Sequence, residues 1–576
     1  MSACFLMGST PVADAAVIAI PRIRPRLGRD EWLMGGGLLA LALYLAVTLL
    51  APLVIMLAKS LEDREGAFVG LANFAQYFSN PVLSSAIGNS VWVSALATLI
   101  VIALAFGYAY ALTRSCIPFK GFFRLVAMAP LLAPSLLSAI ALIYLFGNQG
   151  ALKGWLFGES IYGPIGIIMG SVFWTFPHAL IILITALSSA DARLYEASES
   201  LGATRWRTFI TVTLPGARYG LISATFVVFT LVITDFGVPK VIGGQFNMLA
   251  TDIYKQVVGQ QNFQMGAVVS LILLLPAVLA FFVERWAQTR QGSAVSSRAV
   301  PYQPKSRPAR DWALLGLVSV VTVMILGILG MAAFASLAKL WPYHLSLTLS
   351  HYDFSNADGG SWTSYGNSIR MALYTAIFGT LIVFAGAYLV EKSRVVKPLR
   401  TATHLLALIP MAVPGMVLGL AYIFFFNAPG NPLNFLYGSM AILVLATIAH
   451  FYTVSHLTAL TALKQLDPEF ESVSASLKTP FYRTAWRVTT PMCLPAILDI
   501  GIYFFINAMT TVSAVVFLYS PNTTLASVAV LNMDDAGDTA AAAAMAMLIV
   551  ITAGAVRLLH AGLSRWLHRH TQAWRG

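Results

Sequence analysis

Apolar residues fall along this chain in long runs, neither alternating with polar ones nor confined to one stripe of a helix. Twelve such runs lie near 33–58, 86–112, 122–147, 163–188, 216–240, 264–284, 312–338, 367–390, 402–427, 435–461, 493–519 and 539–561. A hydrocarbon layer roughly 30 Å thick is crossed by a helix of about 20 apolar residues, and a helix satisfies its own backbone hydrogen bonds where no water is available. The pattern predicts an all-α polytopic membrane protein with about 12 transmembrane helices. Composition agrees: 58% hydrophobic and 10% charged residues leave too little polar surface for soluble domains.

The runs repeat. "GNS" at Gly88 recurs at Gly366, "APLLAP" (129–134) as "IPMAVP" (409–414), "ALIYLF" at Ala141 as "AYIFFF" at Ala421, and "LAT" at Leu249 as "LAS" at Leu525, always 276 to 280 residues apart. Six spans per copy is an even number, so two tandem six-helix repeats enter the membrane in the same orientation. The expected division is a leader (1–30), a first transmembrane domain (31–286), a polar linker rich in Pro and Ser (287–310), a second transmembrane domain (311–566) and a tail (567–576).

Charge then sets the orientation. With the N-terminus inside, only Lys59, Arg64, Lys153, Lys240, Lys255, Lys339 and Arg370 fall outside, leaving 29 of the 36 Lys and Arg on the cytoplasmic side. That asymmetry is the positive-inside pattern, and it explains the net charge of +12 without nucleic acid. Both termini are expected to be cytoplasmic. The arginines of the leader follow its weakly apolar part, so it reads as retained and not as a cleaved signal. Three scattered cysteines have no metal-ligand spacing.

One polar interruption has its own logic. The stretch from Asp191 to Leu201, "DARLYEASESL", is built of helix formers, and Gly202 suits the left-handed C-cap. Thr204 is placed to cap a second short helix, "RWRTFITVT", and Pro215 to open the fifth span. The expected product is a helix–turn–helix elbow at the membrane surface. On it, small Ala197 and Ser198 admit another surface, and Glu196 and Glu199 offer carboxylates to a basic partner.

This segment resembles the EAA loop of ABC-importer permeases. Glu196-Ala197-Ser198, three residues, Gly202, nine residues and then Val212-Thr213-Leu214-Pro215 follow that family's pattern, with Ser198 for an alanine and Val212 for an isoleucine. In the second repeat the corresponding stretch, Ser472 to Pro491, keeps its place but is degraded. Ser472 stands for the glutamate, Lys478 for the glycine and Thr490 for the leucine; Glu471, one residue early, is expected to serve instead, and Pro480 to end the helix.

The resemblance implies the permease of a bacterial inner-membrane importer whose elbows, through Glu196, Ala197, Ser198, Gly202, Leu214, Pro215, Glu471, Ser472, Lys478 and Pro491, rest on a cytoplasmic ATPase subunit present in two copies. The chain has no phosphate-binding G-x-x-x-x-G-K-[ST] loop, so ATP and Mg belong to that partner. No cofactor and no catalytic residue is expected on this chain. The remaining partners implied are a periplasmic substrate-binding protein, a small solute and membrane lipid. A 12-helix secondary transporter is the rival class, set back by the scarcity of carboxylates deep in the spans. A membrane enzyme is weaker still, because His178, His404, His450 and His456 lack ligand spacing and suit inter-helix hydrogen bonds.

The fused two-domain arrangement resembles the branch of permeases for 2-aminoethylphosphonate and ferric iron. Segments 234–254, 467–488 and 510–538 resemble the phosphonate members more, which puts phosphonate first as cargo and ferric iron second. Lys240 and Lys255 stand where they could greet an anion, although boundary lysines are more often anchors.

Overall fold

A computed structural model describes residues 28–294, 300–357, 359–393 and 397–571. Most of the predicted leader, the centre of the linker and the last five residues of the tail lie outside these. The first repeat contains α1 (Arg29–Ser60), α2 (Pro81–Arg114), α3 (Lys120–Leu132), α4 (Ser135–Phe146), α5 (Pro164–Ser188), α6 (Ala192–Ser200), α7 (Arg205–Ile233) and α8 (Phe263–Ala294). The second contains α9 (Pro308–Leu337), α10 (Trp362–Lys392), α11 (Lys397–Met411), α12 (Gly415–Phe426), α13 (Met440–His450), α14 (Tyr452–Lys464), α15 (Glu469–Ser476), α16 (Phe481–Met492), α17 (Leu494–Thr510) and α18 (Thr539–Thr571).

Among the described residues, eight helices are long and apolar enough to span, and four bent pairs raise the number to twelve. The repeated "APLLAP" and "IPMAVP" are the hinges of two such pairs, α3/α4 bent by 103° and α11/α12 by 115°. Pro134 and Pro414 have no N–H to continue the helix, and a proline biases the residue before it toward extended backbone. The second repeat bends twice more, by 57° between α13 and α14 and by 77° between α16 and α17. At the latter, Pro495 follows Pro491 by four residues and removes a further helical hydrogen bond. A small antiparallel hairpin, β1 (Ala338–Leu340) with β2 (His344–Leu347), follows α9 and departs from the all-helical expectation.

Repeats in sequence are not separate packing units. Helix α1 lies against α11 and α12 of the second repeat, and α9 against α4 and α2 of the first. Leu38 is buried with Val390 and Leu460, and Val318, Val321 and Ile325 are buried among Val101, Tyr108 and Phe176. Lipid offers apolar side chains as much as a protein does, so this exchange rests on close contact. A Cβ on Gly386 would stand 2.8 Å from Leu41 Cδ2, and one on Gly107 2.7 Å from Leu317 Cδ2.

Buried polar side chains of α2 and α10 hold the irregular segments opposite the elbows. Ser90 Oγ accepts the backbone N–H of Leu249 at 2.9 Å, and Ser368 Oγ that of Ala526 at 2.7 Å. Asn89 and Asn367, beside them in the two "GNS" motifs, donate to the carbonyls of Asn247 at 3.1 Å and of Asn522 at 3.0 Å. Each motif therefore fastens the start of a short helix, Leu249–Tyr254 or Ala526–Ala536, to the second span of its repeat.

A second repeated contact is inverted. A Cβ on Gly237 would lie 2.3 Å from Ser135 Oγ; one on Gly415 would lie 2.4 Å from Ser513 Oγ. Serine faces glycine both times, with the two segments exchanged. Gly415→Ala is therefore expected to cost about 1–3 kcal/mol through overpacking, seen as a lower melting temperature in detergent. Gly415→Ser combined with Ser513→Gly, which copies the first repeat, should recover most of the loss.

Candidate functional site

Each elbow is built from short-range hydrogen bonds. Asp191 caps α6 by accepting the N–H of Arg193 at 3.1 Å. Gly202, at φ +66°, ends it: its N–H donates to the Glu199 carbonyl and that of Ala203 to the Ser198 carbonyl, both at 3.0 Å. Thr204 Oγ1 then accepts the N–H of Arg207 at 3.3 Å. The following arm is not the separate short helix expected. It is continuous with the fifth span as α7, through a π-helical turn at Phe209–Thr213 where Leu214 N–H reaches the Phe209 carbonyl. This wider turn precedes Pro215, which donates no hydrogen bond, and lets the helix run on. The second elbow has the same turn at Ala485–Thr489 ahead of Pro491.

Ser198 faces inward, where sequence suggested a small outward residue. It is buried, and its hydroxyl bonds that of Thr208 at 2.7 Å, buckling α6 to the start of α7. Ser474 and Thr484 form the same buckle in the second elbow. The expected role of Pro480 also falls elsewhere. Lys478 itself takes the left-handed position, at φ +52°, and repeats the two closing hydrogen bonds made around Gly202.

The carboxylates divide. Glu196 is exposed. Glu199 is held by the linker, with Lys305 Nζ at 2.7 Å and Arg307 at 3.6 Å. The hydrogen bond from Lys305 lowers its pKa, so this tie is complete above the usual glutamate range and is lost as pH falls through the lowered value. Glu471, expected to replace the docking glutamate, instead pairs with Lys392 at 2.5 Å. Ala197, Gly202, Leu214, Pro215, Ser472, Lys478 and Pro491 all lie on exposed surface.

The linker straps the first elbow. Val300 accepts the N–H of Ala192 at 2.9 Å, and the Tyr302 ring lies 4.6 Å from that of Tyr195. Exposed apolar side chains ring both elbows, a feature missed in the sequence. Leu194, Leu201, Trp206 and Ile210 have Phe470, Leu477, Tyr482 and Trp486 at the same offset of 276, with Leu201 86% and Trp486 76% exposed. Their recurrence inside an otherwise polar stretch was the available signal. Exposed apolar side chains grouped in this way occur on surfaces that meet another protein or the membrane.

On the opposite face, Lys240 joins the repeats through Asp535 at 2.9 Å, and Lys255 donates to Asn247 Oδ1 at 2.5 Å. Both line a cavity of about 420 Å³. Tyr254 stacks across the repeat boundary on Phe517, with centroids 6.2 Å apart. His404 and His456 meet at 3.3 Å, an inter-helix hydrogen bond of the kind expected.

At Lys478 a side chain occupies a conformation suited to glycine. Lys478→Gly should stabilise the second elbow by about 0.5–1 kcal/mol, and Gly202→Ala should destabilise the first by about 1 kcal/mol. Hydrogen exchange of the amides in 192–203 and 469–479 would read both changes.

The family model for "binding-protein-dependent transport system inner membrane component" matches this chain twice, over residues 103–292 and 380–569. The ferric transport system permease protein FbpB of Actinobacillus pleuropneumoniae is 26% identical over 563 residues, 94% of this chain and 80% of its own. A putative ferric transport system permease protein FbpB 1 of Haemophilus influenzae is 27% identical, covering 76% of this chain and 70% of its own. A solved bacterial alginate ABC transporter, in complex with an alginate pentasaccharide-bound periplasmic protein, covers 47% of this chain at 15% identity and a TM-score of 0.39. The two relatives reverse the order of cargo drawn from sequence: phosphonate has no support among them, and ferric iron has.

Proposed function

Because this chain belongs to the binding-protein-dependent transport system inner membrane components, we propose that it is the ABC permease of a ferric-iron importer, supplying both halves of the pathway in one polypeptide. The cargo rests on the relatives named for ferric transport that align with most of both chains. The coupling role rests on the paired elbows: the same buckled helix–turn–helix at the same place in each repeat, on one face, ringed by exposed apolar side chains. A cytoplasmic ATPase, one copy per elbow, is the partner that such a pair fits. The orientation, with elbows and both termini in the cytoplasm, is supported by the distribution of Lys and Arg.

Mechanically, each elbow is a lever. Its second arm and the fifth span share one helix in the first repeat, so a push on α6 carried through the Ser198–Thr208 buckle tilts α7 as a body. In the second repeat the bend at Cys493 separates the arm from α17, which makes that lever more compliant. Closure of the ATPase pair brings the levers together, and the far ends of the spans part where Lys240 meets Asp535 and Tyr254 meets Phe517. Iron, as substrate, enters there from a periplasmic binding protein.

In membranes holding the ATPase and the binding protein, Glu196→Lys is expected to lower ATP-dependent ferric-iron uptake at least about ten-fold by placing a like charge against a basic partner surface. The amount of inserted protein should stay the same, and the ATPase should no longer co-purify. Proton-driven transport by the isolated chain in liposomes would sink this reading in favour of a secondary transporter, and uptake of 2-aminoethylphosphonate without iron would sink the cargo.

A further inference from the structure

The last residue of α2 is Arg114 and the last residue of α10 is Lys392, 278 residues apart, the same offset that relates the two "GNS" motifs of those spans. Both side chains reach away from their own helices to the elbow. The Arg114 guanidinium carbon stands 5.1 Å from the ring centre of Tyr195 in α6 and 4.4 Å from that of Tyr302 in the linker, and Nη2 donates to the Leu187 carbonyl at 2.6 Å. The Lys392 ammonium meets Glu471 of α15 at 2.5 Å. Tyr195 and Glu471 are themselves 276 residues apart, the offset of the elbows.

From this double correspondence we infer that Arg114 and Lys392 are equivalent positioning residues that tie each elbow to the second span of its own repeat. The inference rests on the elbows being the docking levers described above. It accounts for the glutamate that stands one residue early in the second motif: Glu471 is the counterpart of Tyr195, the anchor of the tie, and Ser472 holds the docking position. A cation at a helix C-terminus is favoured by the macrodipole alone, but that would not direct two different cations to the same elbow position. Nor would it bury Arg114 to 3% exposure against two rings.

The chemistry of the tie differs while its place does not. The first is a cation packed against a pair of touching aromatic rings, one of them from the linker; the second is a partly buried ion pair. Each begins a rigid route. From Arg114 to Ser90 is about 36 Å along one helix, and Ser90 holds the segment at Leu249; Lys392 relates in the same way to Ser368 and the segment at Ala526. Movement of an elbow thus reaches the irregular segment on the opposite face without passing through the fifth span.

The test uses the full chain in nanodiscs, with ATPase and binding protein, reading ATP hydrolysed per iron imported. Lys392→Ala is expected to raise that ratio about ten-fold with the ATPase still bound, and Lys392→Glu with Glu471→Lys to return it to within about two-fold of wild type. Hydrogen exchange on the permease alone is the second readout. It should quicken about five-fold or more in 469–476 for Lys392→Ala, and in 192–200 for Tyr302→Ala or Arg114→Ala, leaving the other elbow unchanged. Tyr302→Ala serves where Arg114→Ala does not fold. Unchanged exchange, or a reversed pair as poorly coupled as Lys392→Glu alone, would overturn the tie. Elbow-specific exchange in a chain whose wild type shows no ATP-coupled uptake would keep the tie and remove the docking reading.

Discussion

Apolar helices gain little by leaving lipid for one another, so two six-helix repeats need something other than burial to hold them as one body. Here it is the close fit of α1 and α9, each lodged in the opposite repeat, with leucines entering at glycines of the second spans. The second spans are thereby fixed near their elbow ends by the exchanged helix and by a cation reaching the elbow, and at the opposite end by the serine and asparagine that hold an irregular segment. The two working ends of the molecule hang on these two helices.

The repeats have diverged while keeping contacts. Ser135 facing Gly237 becomes Gly415 facing Ser513. Tyr108 against Phe176 is replaced by Gly386, whose missing side chain leaves room for the hydroxyl of Tyr452. Arg114 over Tyr195 becomes Lys392 beside Glu471. In each case a change on one helix is answered on its neighbour, as close packing requires when a volume or charge is moved.

The spans, the duplication and the elbows could be read from the chain because each leaves a local mark: a long apolar run, a recurring short string, a glycine and a proline at fixed spacing. What could not be read depends on which side chains the fold brings together, most of them far apart in sequence. The inward turn of Ser198 needs Thr208 across the elbow, the capture of Glu199 needs the linker 106 residues on, and the meaning of Glu471 needs Lys392. With glycine missing, the sequence points to Pro480 as the end of the helix; Lys478 ends it instead, at a positive φ, because the hydrogen bonds of the motif, closed around it, outweigh a strain of about 1 kcal/mol. The exchange of first spans leaves no mark in hydropathy, since every face of α1 and α9 is apolar wherever it packs.

That exchange also fixes an order of events during synthesis. Leu38 finds Val390 and Leu460 only after about 350 and about 420 further residues have been made, and at roughly 5–20 residues per second the wait is on the order of 20–80 s. Until then the side of α1 that meets the second repeat faces lipid, and the first repeat, though wholly inserted, holds that helix only through the contact of its Ala51–Ser60 part with α8. The protein can therefore close its fold only from its second half, and the interval gives membrane chaperones and proteases a window in which an unfinished first repeat is recognisable by that unoccupied side.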